Sequence, residues 1–172
     1  MSVGAPPDDE ALHAASERLG RALRQRGWRL ATAESCTGGL VGHVITAIAG
    51  ASEYYVGGAI CYSDRAKELE LALPPELIAK HGAVSSPVAA AMADGARRRL
   101  EADVGVSVTG IAGPDGGSAH KPVGLTYLAV ACGAQPSVVE RKVWPFDRDG
   151  NKRASALRLI ELAAGQVEAA GN

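Results

Sequence analysis

The sequence predicts an α/β protein, a mixed β-sheet covered by helices within one domain. Three observations lead there. Segments of helical period precede, interrupt and follow segments of strand period. The 172 residues match the ordinary length of one domain. Aromatic residues make up only 4% of the chain, while alanine alone supplies 32 residues. A core of Ala, Val, Leu and Ile suits helices packed closely on a sheet better than an aromatic-rich β-sandwich.

The elements follow in order. Residues 1–7 read as a flexible tail and 8–170 as the single domain. Asp8 or Asp9 caps a first helix, with Leu12, Ala15, Leu19, Ala22 and Leu23 at helical spacing and Gly27 as its stop. Trp28 to Ala33 reads as a strand. Glu34 to Gly39 turns, and Leu40 to Ile48 forms a helix around Val41, Val44, Ile45 and Ile48. Tyr54 to Ser63 reads as a strand or a bent hairpin, because Gly57-Gly58 lies inside it. A short helix runs from Pro75 to Gly82. The next starts at Ser86-Pro87, with proline in its favoured first turn, and runs to Arg97-Arg98-Arg99. Val104, Val106 and Val108 alternate in a strand that empties into the glycine-rich stretch Gly110–Gly117. Val123–Ala131 and Ser137–Trp144 read as two further strands, and 152–169 as a closing helix.

Composition excludes several function classes. With a formal net charge of −1, no global field draws the chain to nucleic acid or to an anionic membrane, so neither is an expected partner. No apolar run reaches the roughly 18 residues of a membrane span. The first ten residues lack the pattern of a secretory signal. Cys36, Cys61 and Cys132 are odd in number and have no CxxC spacing, which fits a reducing, cytoplasmic setting. No HExxH or paired-histidine spacing points to a metal.

The chemistry-bearing residues gather in four places. Ser35 lies between a strand and a helix, in Glu34-Ser35-Cys36-Thr37-Gly38-Gly39. Free N–H groups at that helix start can hold an anion, and the two glycines allow close approach. Ser35 is therefore a candidate nucleophile; the alternative is that Ser35 and Thr37 are helix caps. Cys36 competes with Ser35, since a thiol at a helix start can ionise easily. Lys67, after Tyr62-Ser63-Asp64-Arg65-Ala66, is a candidate base if burial or a nearby charge such as Arg65 keeps it neutral; the alternative is a solvated lysine on a charged turn. Tyr62 can position a proton or simply pack. The stretch after Thr109 can wrap an anion with backbone N–H groups but matches neither a Walker loop nor GxGxxG. Arg148 offers a planar fork to a phosphate, or pairs near its flanking aspartates. His13, His43, His81 and His120 form no evident triad.

Together these segments resemble the C-terminal domain of the competence/damage-inducible CinA proteins, a family that includes stand-alone nicotinamide-nucleotide amidases. The resemblance rests on Thr32-Ala33-Glu34-Ser35-Cys36-Thr37-Gly38-Gly39, Tyr62-Ser63 with Lys67, and His81-Gly82-Ala83-Val84-Ser85. It continues through Thr109–Gly117 and Lys121-Pro122-Val123-Gly124, and covers about residues 10–165. It implies a compact α/β/α sandwich, commonly homo-oligomeric, that hydrolyses nicotinamide mononucleotide to nicotinate mononucleotide and ammonia. By matching positions, it implies Ser35 as nucleophile, Lys67 as general base and Tyr62 as their assistant. It likewise assigns Thr109, the loop containing Gly110 and Gly113, and Arg148 to the substrate. Cys36, Thr37, Gly38 and Gly39 complete the expected binding set, with the N–H groups around Thr37-Gly38 as oxyanion donors. No metal or organic cofactor is implied. The chain departs from the family at Asp64, where asparagine is common. A carboxylate there tends to raise the lysine pKa. A non-catalytic nucleotide-binding module and a serine amidase with another substrate are the alternative readings.

Overall fold

The protein is described by a computed structural model covering residues 4–170. Local signals start and stop most of its helices. Asp8 caps α1 (Asp9–Arg26), its carboxylate accepting the Ala11 N–H at 2.9 Å, and Gly27 closes the helix. Residues 1–3 of the expected tail lie outside the described residues. Pro7 is held, its carbonyl accepting from Arg153 Nε at 2.6 Å.

Strand β1 (Leu30–Glu34) is followed by α2 (Leu40–Thr46), which stops two residues short of the expected Ile48. The segment read as a strand or bent hairpin is a single strand, β2 (Tyr55–Ile60). The chain then forms α3 (Asp64–Leu71), a helix where the sequence suggested a charged turn, followed by α4 (Pro75–His81) and α5 (Ser86–Arg99). Strands β3 (Val104–Gly110), β4 (Leu125–Cys132) and β5 (Val138–Val143) come next. The closing helix α6 (Arg148–Ala169) begins earlier than the expected residue 152, because Asp147 caps it by accepting the Gly150 N–H at 2.8 Å.

The five strands make one mixed sheet in the order β2-β1-β3-β4-β5. β1 is parallel to both β2 and β3, while β4 is antiparallel to β3 and β5. Strand alternation sends Val104, Val106 and Val108 to one face, where they pack with α1, α2 and α6 residues such as Leu23, Ile45 and Leu159. Ala31 and Ala33 go to the other face, against Met92 and Ala96 of α5. That second face is lined with small residues, so α5 lies close to the sheet. A Cβ at Gly105 would collide with the Ala93 carbonyl, and Ser107 Oγ donates to the Ala89 carbonyl at 2.6 Å. These layers make the expected α/β/α sandwich.

β1 leads through α2 to β2 on one side, and β3 lies on its other side. The carboxyl ends of β1 and β3 therefore diverge at a topological switch point, where open α/β sheets place their ligand crevice. Ser35 follows β1 there, and the glycine-rich stretch follows β3.

Candidate active site

The turn after β1 is pinned on both sides. The Cys61 N–H donates to the Glu34 carbonyl at 2.7 Å, and the Ser35 N–H to the Val108 carbonyl at 3.0 Å. Gly38 and Gly39 then take φ values of 63° and 102°, left-handed backbone that costs other residues about 1 kcal/mol or more. This lets the chain fold back over Glu34, which is 2% exposed. Its Oε2 accepts from Thr37 Oγ1 at 2.7 Å and from the Gly39 and Val41 N–H groups at 3.0 Å each; its Oε1 accepts from the Gly42 N–H at 2.8 Å.

Glu34, rather than Ser35 or Thr37, is therefore the side chain that caps α2. This corrects the expectation that the first N–H groups of α2 are open to an anion. The Gly38 N–H is also engaged, donating to the Ser35 carbonyl at 3.1 Å. The N–H groups of Cys36 and Thr37 donate to no acceptor among the described residues. The open donors thus sit one residue earlier than the Thr37-Gly38 pair expected from the sequence.

Lys67 meets Ser35 from α3. Ser63 starts that helix, its Oγ accepting the Ala66 N–H at 3.1 Å, and Lys67 on its inner side is only 1% exposed. Lys67 Nζ lies 3.3 Å from Ser35 Oγ, 3.0 Å from the Cys61 carbonyl and 3.5 Å from the Tyr62 carbonyl. A neutral amine has two N–H donors and one lone pair. With both donors on the carbonyls, the lone pair is left for the Ser35 hydroxyl proton.

Burial pushes the Lys67 pKa below the ordinary lysine value, as a buried base requires. Asp64 pulls the other way from 3.9 Å, but it is largely solvent-exposed and the desolvation effect prevails. Arg65 contributes nothing to the lowering; it pairs with Glu68 at 2.8 Å. Burial drives the Cys36 thiol up to about 12, which removes the ionised thiol a cysteine nucleophile needs.

A cavity of about 250 Å³ gathers Ser35, Cys36, Tyr62, Lys67, Thr109, Gly110, Gly113 and Arg148 from the predicted set. Thr37, Gly38 and Gly39 do not line it; they shape the turn behind Ser35. Thr109 Oγ1 donates to the Ala83 carbonyl at 2.9 Å, so its hydroxyl secures the segment before α5 and keeps its lone pairs for the cavity. Arg148 pairs with neither neighbouring aspartate. It donates to the Gly113 carbonyl at 2.6 Å and to the Tyr62 hydroxyl at 3.1 Å, spanning the cavity mouth. None of the four histidines lines the cavity.

Two further residues support the site. Glu34 is one; a glutamate three residues before a threonine and five before a glycine is the only sequence trace of it. Asn151 is the other, 1% exposed, donating to the Ala112 carbonyl at 3.0 Å and accepting the Phe146 N–H at 3.1 Å. Asn151 precedes the expected helix start at 152, so no sequence signal places it on the inner face of the last helix. Among the described residues, no three His, Cys, Asp or Glu side chains cluster in a way that could hold a metal ion, and no helix is long and apolar enough to cross a membrane.

The layers and the cleft define an α/β/α protein with a serine–lysine pair at its switch point. The chain belongs to the CinA C-terminal domain family, whose model matches residues 12–166. The nicotinamide-nucleotide amidohydrolase PncC of Escherichia coli strain K12 is 46% identical over 153 residues, 89% of this chain and 93% of that protein. A CinA-like protein of Geobacter sp. strain M21 is 54% identical over 134 residues, 77% of this chain but 32% of that protein. This chain therefore spans about a third of that relative's length. Among solved structures, the competence/damage inducible protein CihA from Agrobacterium tumefaciens matches with a TM-score of 0.87 at 36% identity, over 96% of this chain and all of that one.

Proposed function

We propose that this protein hydrolyses the carboxamide of nicotinamide mononucleotide, releasing nicotinate mononucleotide and ammonia, and so serves to recycle pyridine nucleotides. The observation that carries the reading is the 3.3 Å approach of a buried Lys67 Nζ to Ser35 Oγ. The 46% identity to PncC supports the choice of substrate.

In this mechanism Ser35 Oγ attacks the carboxamide carbon while Lys67 accepts its proton. The N–H group of Cys36, the open donor on the cavity wall, receives the oxyanion, a contact worth on the order of 3 kcal/mol. Lys67 passes the proton to the departing ammonia. A water molecule, deprotonated in turn by Lys67, then attacks the acyl carbon and displaces Ser35, whose oxygen takes the proton back from Lys67. Tyr62 and Arg148 close the mouth and orient the substrate, so that binding energy away from the reacting bond positions the amide.

Ammonia release from the mononucleotide is the direct test. Wild-type protein should release it, and a folded Ser35→Ala variant should not. No release from folded wild-type protein overturns the reading. One observation favours a non-catalytic nucleotide-binding module, namely Asp64 at 3.9 Å from Lys67. That module would show thermal stabilisation by the mononucleotide without ammonia. A serine amidase with another substrate would turn over simple amides and tolerate loss of Arg148.

A further inference from the structure

The catalytic cavity, at about 250 Å³, is smaller than the roughly 300–1,000 Å³ usual for sites that enclose an organic ligand. A second cavity of about 630 Å³ adjoins it, and the two share Ala112 and Arg148 as walls. Pro114, Val123 and Phe146 give the second cavity an apolar side. Besides Arg148, its one cation is Lys152.

Lys152 stands four residues after Arg148 on α6, hence on the same face and roughly 6 Å along the axis. It is half-buried. The lysine ion pairs among the described residues are Lys67 with Asp64 and Lys142 with Glu140; Lys152 has none. Asp147, whose carboxylate accepts the Gly150 N–H at 2.8 Å, and the exposed Asp149 also line this cavity, but neither forms an ion pair with Lys152. The field of Lys152 reaches the catalytic wall, where it favours the ionised form of Cys36. A half-buried cation that forms no ion pair, facing an open cavity, is suited to an anion brought in by a ligand.

We infer that the second cavity is a subsite for the phosphate-bearing part of the substrate, with Lys152 as its principal cation and Arg148 on the wall between phosphate and carboxamide. This rests on the amidase reading for the placement of the carboxamide at Ser35. The phosphate end is argued from the second cavity itself.

The test compares wild type, Lys152→Ala and Lys152→Arg on nicotinamide mononucleotide and on the same nucleoside without its phosphate, following ammonia. Lys152→Ala should raise KM for the mononucleotide about tenfold, the scale of one charge-assisted hydrogen bond, with kcat changed by less than about twofold. KM for the nucleoside should not move, and Lys152→Arg should restore most of the loss. Inorganic phosphate should raise the melting temperature of wild type more than that of Lys152→Ala. An unchanged KM for the mononucleotide, or an equal rise for both substrates, overturns the subsite. If wild type releases no ammonia from either compound, the amidase reading fails. The phosphate-dependent melting of wild type against Lys152→Ala then still decides the subsite, and equal shifts in the two proteins reject it.

Discussion

Glu34 and Lys67 are both ionisable and almost wholly buried, yet they are held by opposite means. Glu34 is surrounded by donors, so its charge is compensated. Lys67 faces carbonyls and a hydroxyl, and burial disfavours its charge. Replacing Glu34 by alanine strands three backbone N–H groups and the Thr37 hydroxyl. The loss should be on the order of 3 kcal/mol or more, read by urea unfolding. With Ser35 as the proposed nucleophile, Cys36→Ala should keep most of the wild-type kcat, because burial pushes the Cys36 thiol up to about 12. A collapse of kcat in folded Cys36→Ala would contradict that assignment.

The lowered pKa of Lys67 also has a consequence for stability. The unfolded chain, with an ordinary lysine value near 10.5, holds the proton over a pH range where the folded protein has released it. Stability therefore rises with pH between the lowered folded value and about 10.5, and below that window the penalty is constant. Urea midpoints of wild type and Lys67→Met across this range should show the rise in wild type alone. Parallel curves would contradict it.

At the scale of elements, close approach of α5 to the sheet predicts that Gly105→Ala destabilises by about 3 kcal/mol, measurable by thermal unfolding, because the new methyl meets the Ala93 carbonyl. Legibility from sequence differed sharply between elements. α1 and α5 carry caps, period and stops in one stretch of chain, and both fall where the sequence predicts them. α3 is hard to read because eight residues, five of them charged, give little apolar period. Ser63 before Asp64, with helix formers from Ala66 to Leu71, was the available signal. The first turn of α6 is not legible from period alone because Gly150 sits inside it, and Asp147 as a capping residue is its one sequence signal. Ser35 and Lys67 were legible through residue type and order. Glu34 was not, since its partners approach only after two glycines reverse the chain.

At the scale of the molecule, one sheet carries every part of the site, from the ends of β1, β2 and β3 to α3 and α6. The loop after β3, Asn151 and Arg148 tie α6 to the cleft. Trp28 and Trp144 both pack against the main apolar core, one beside β1 and the other beyond β5. Tryptophan fluorescence and far-UV circular dichroism should therefore report one coincident unfolding transition. Separated transitions would show that the α6 side unfolds independently of β1. Folded Ser35→Ala should still bind the mononucleotide and gain about 2.7 kcal/mol at a ligand concentration one hundred times Kd.

The central claim is that Lys67 acts as a neutral amine on Ser35, and the pH dependence of kcat/KM tests it most directly when wild type is compared with Asp64→Asn. Asp64 holds the lysine pKa up, so removing its charge should lower it further. Wild type should show activity rising with pH through a midpoint below the ordinary lysine range, and Asp64→Asn should move that midpoint to lower pH. A midpoint that stays in place when Asp64 loses its charge would contradict Lys67 as the base.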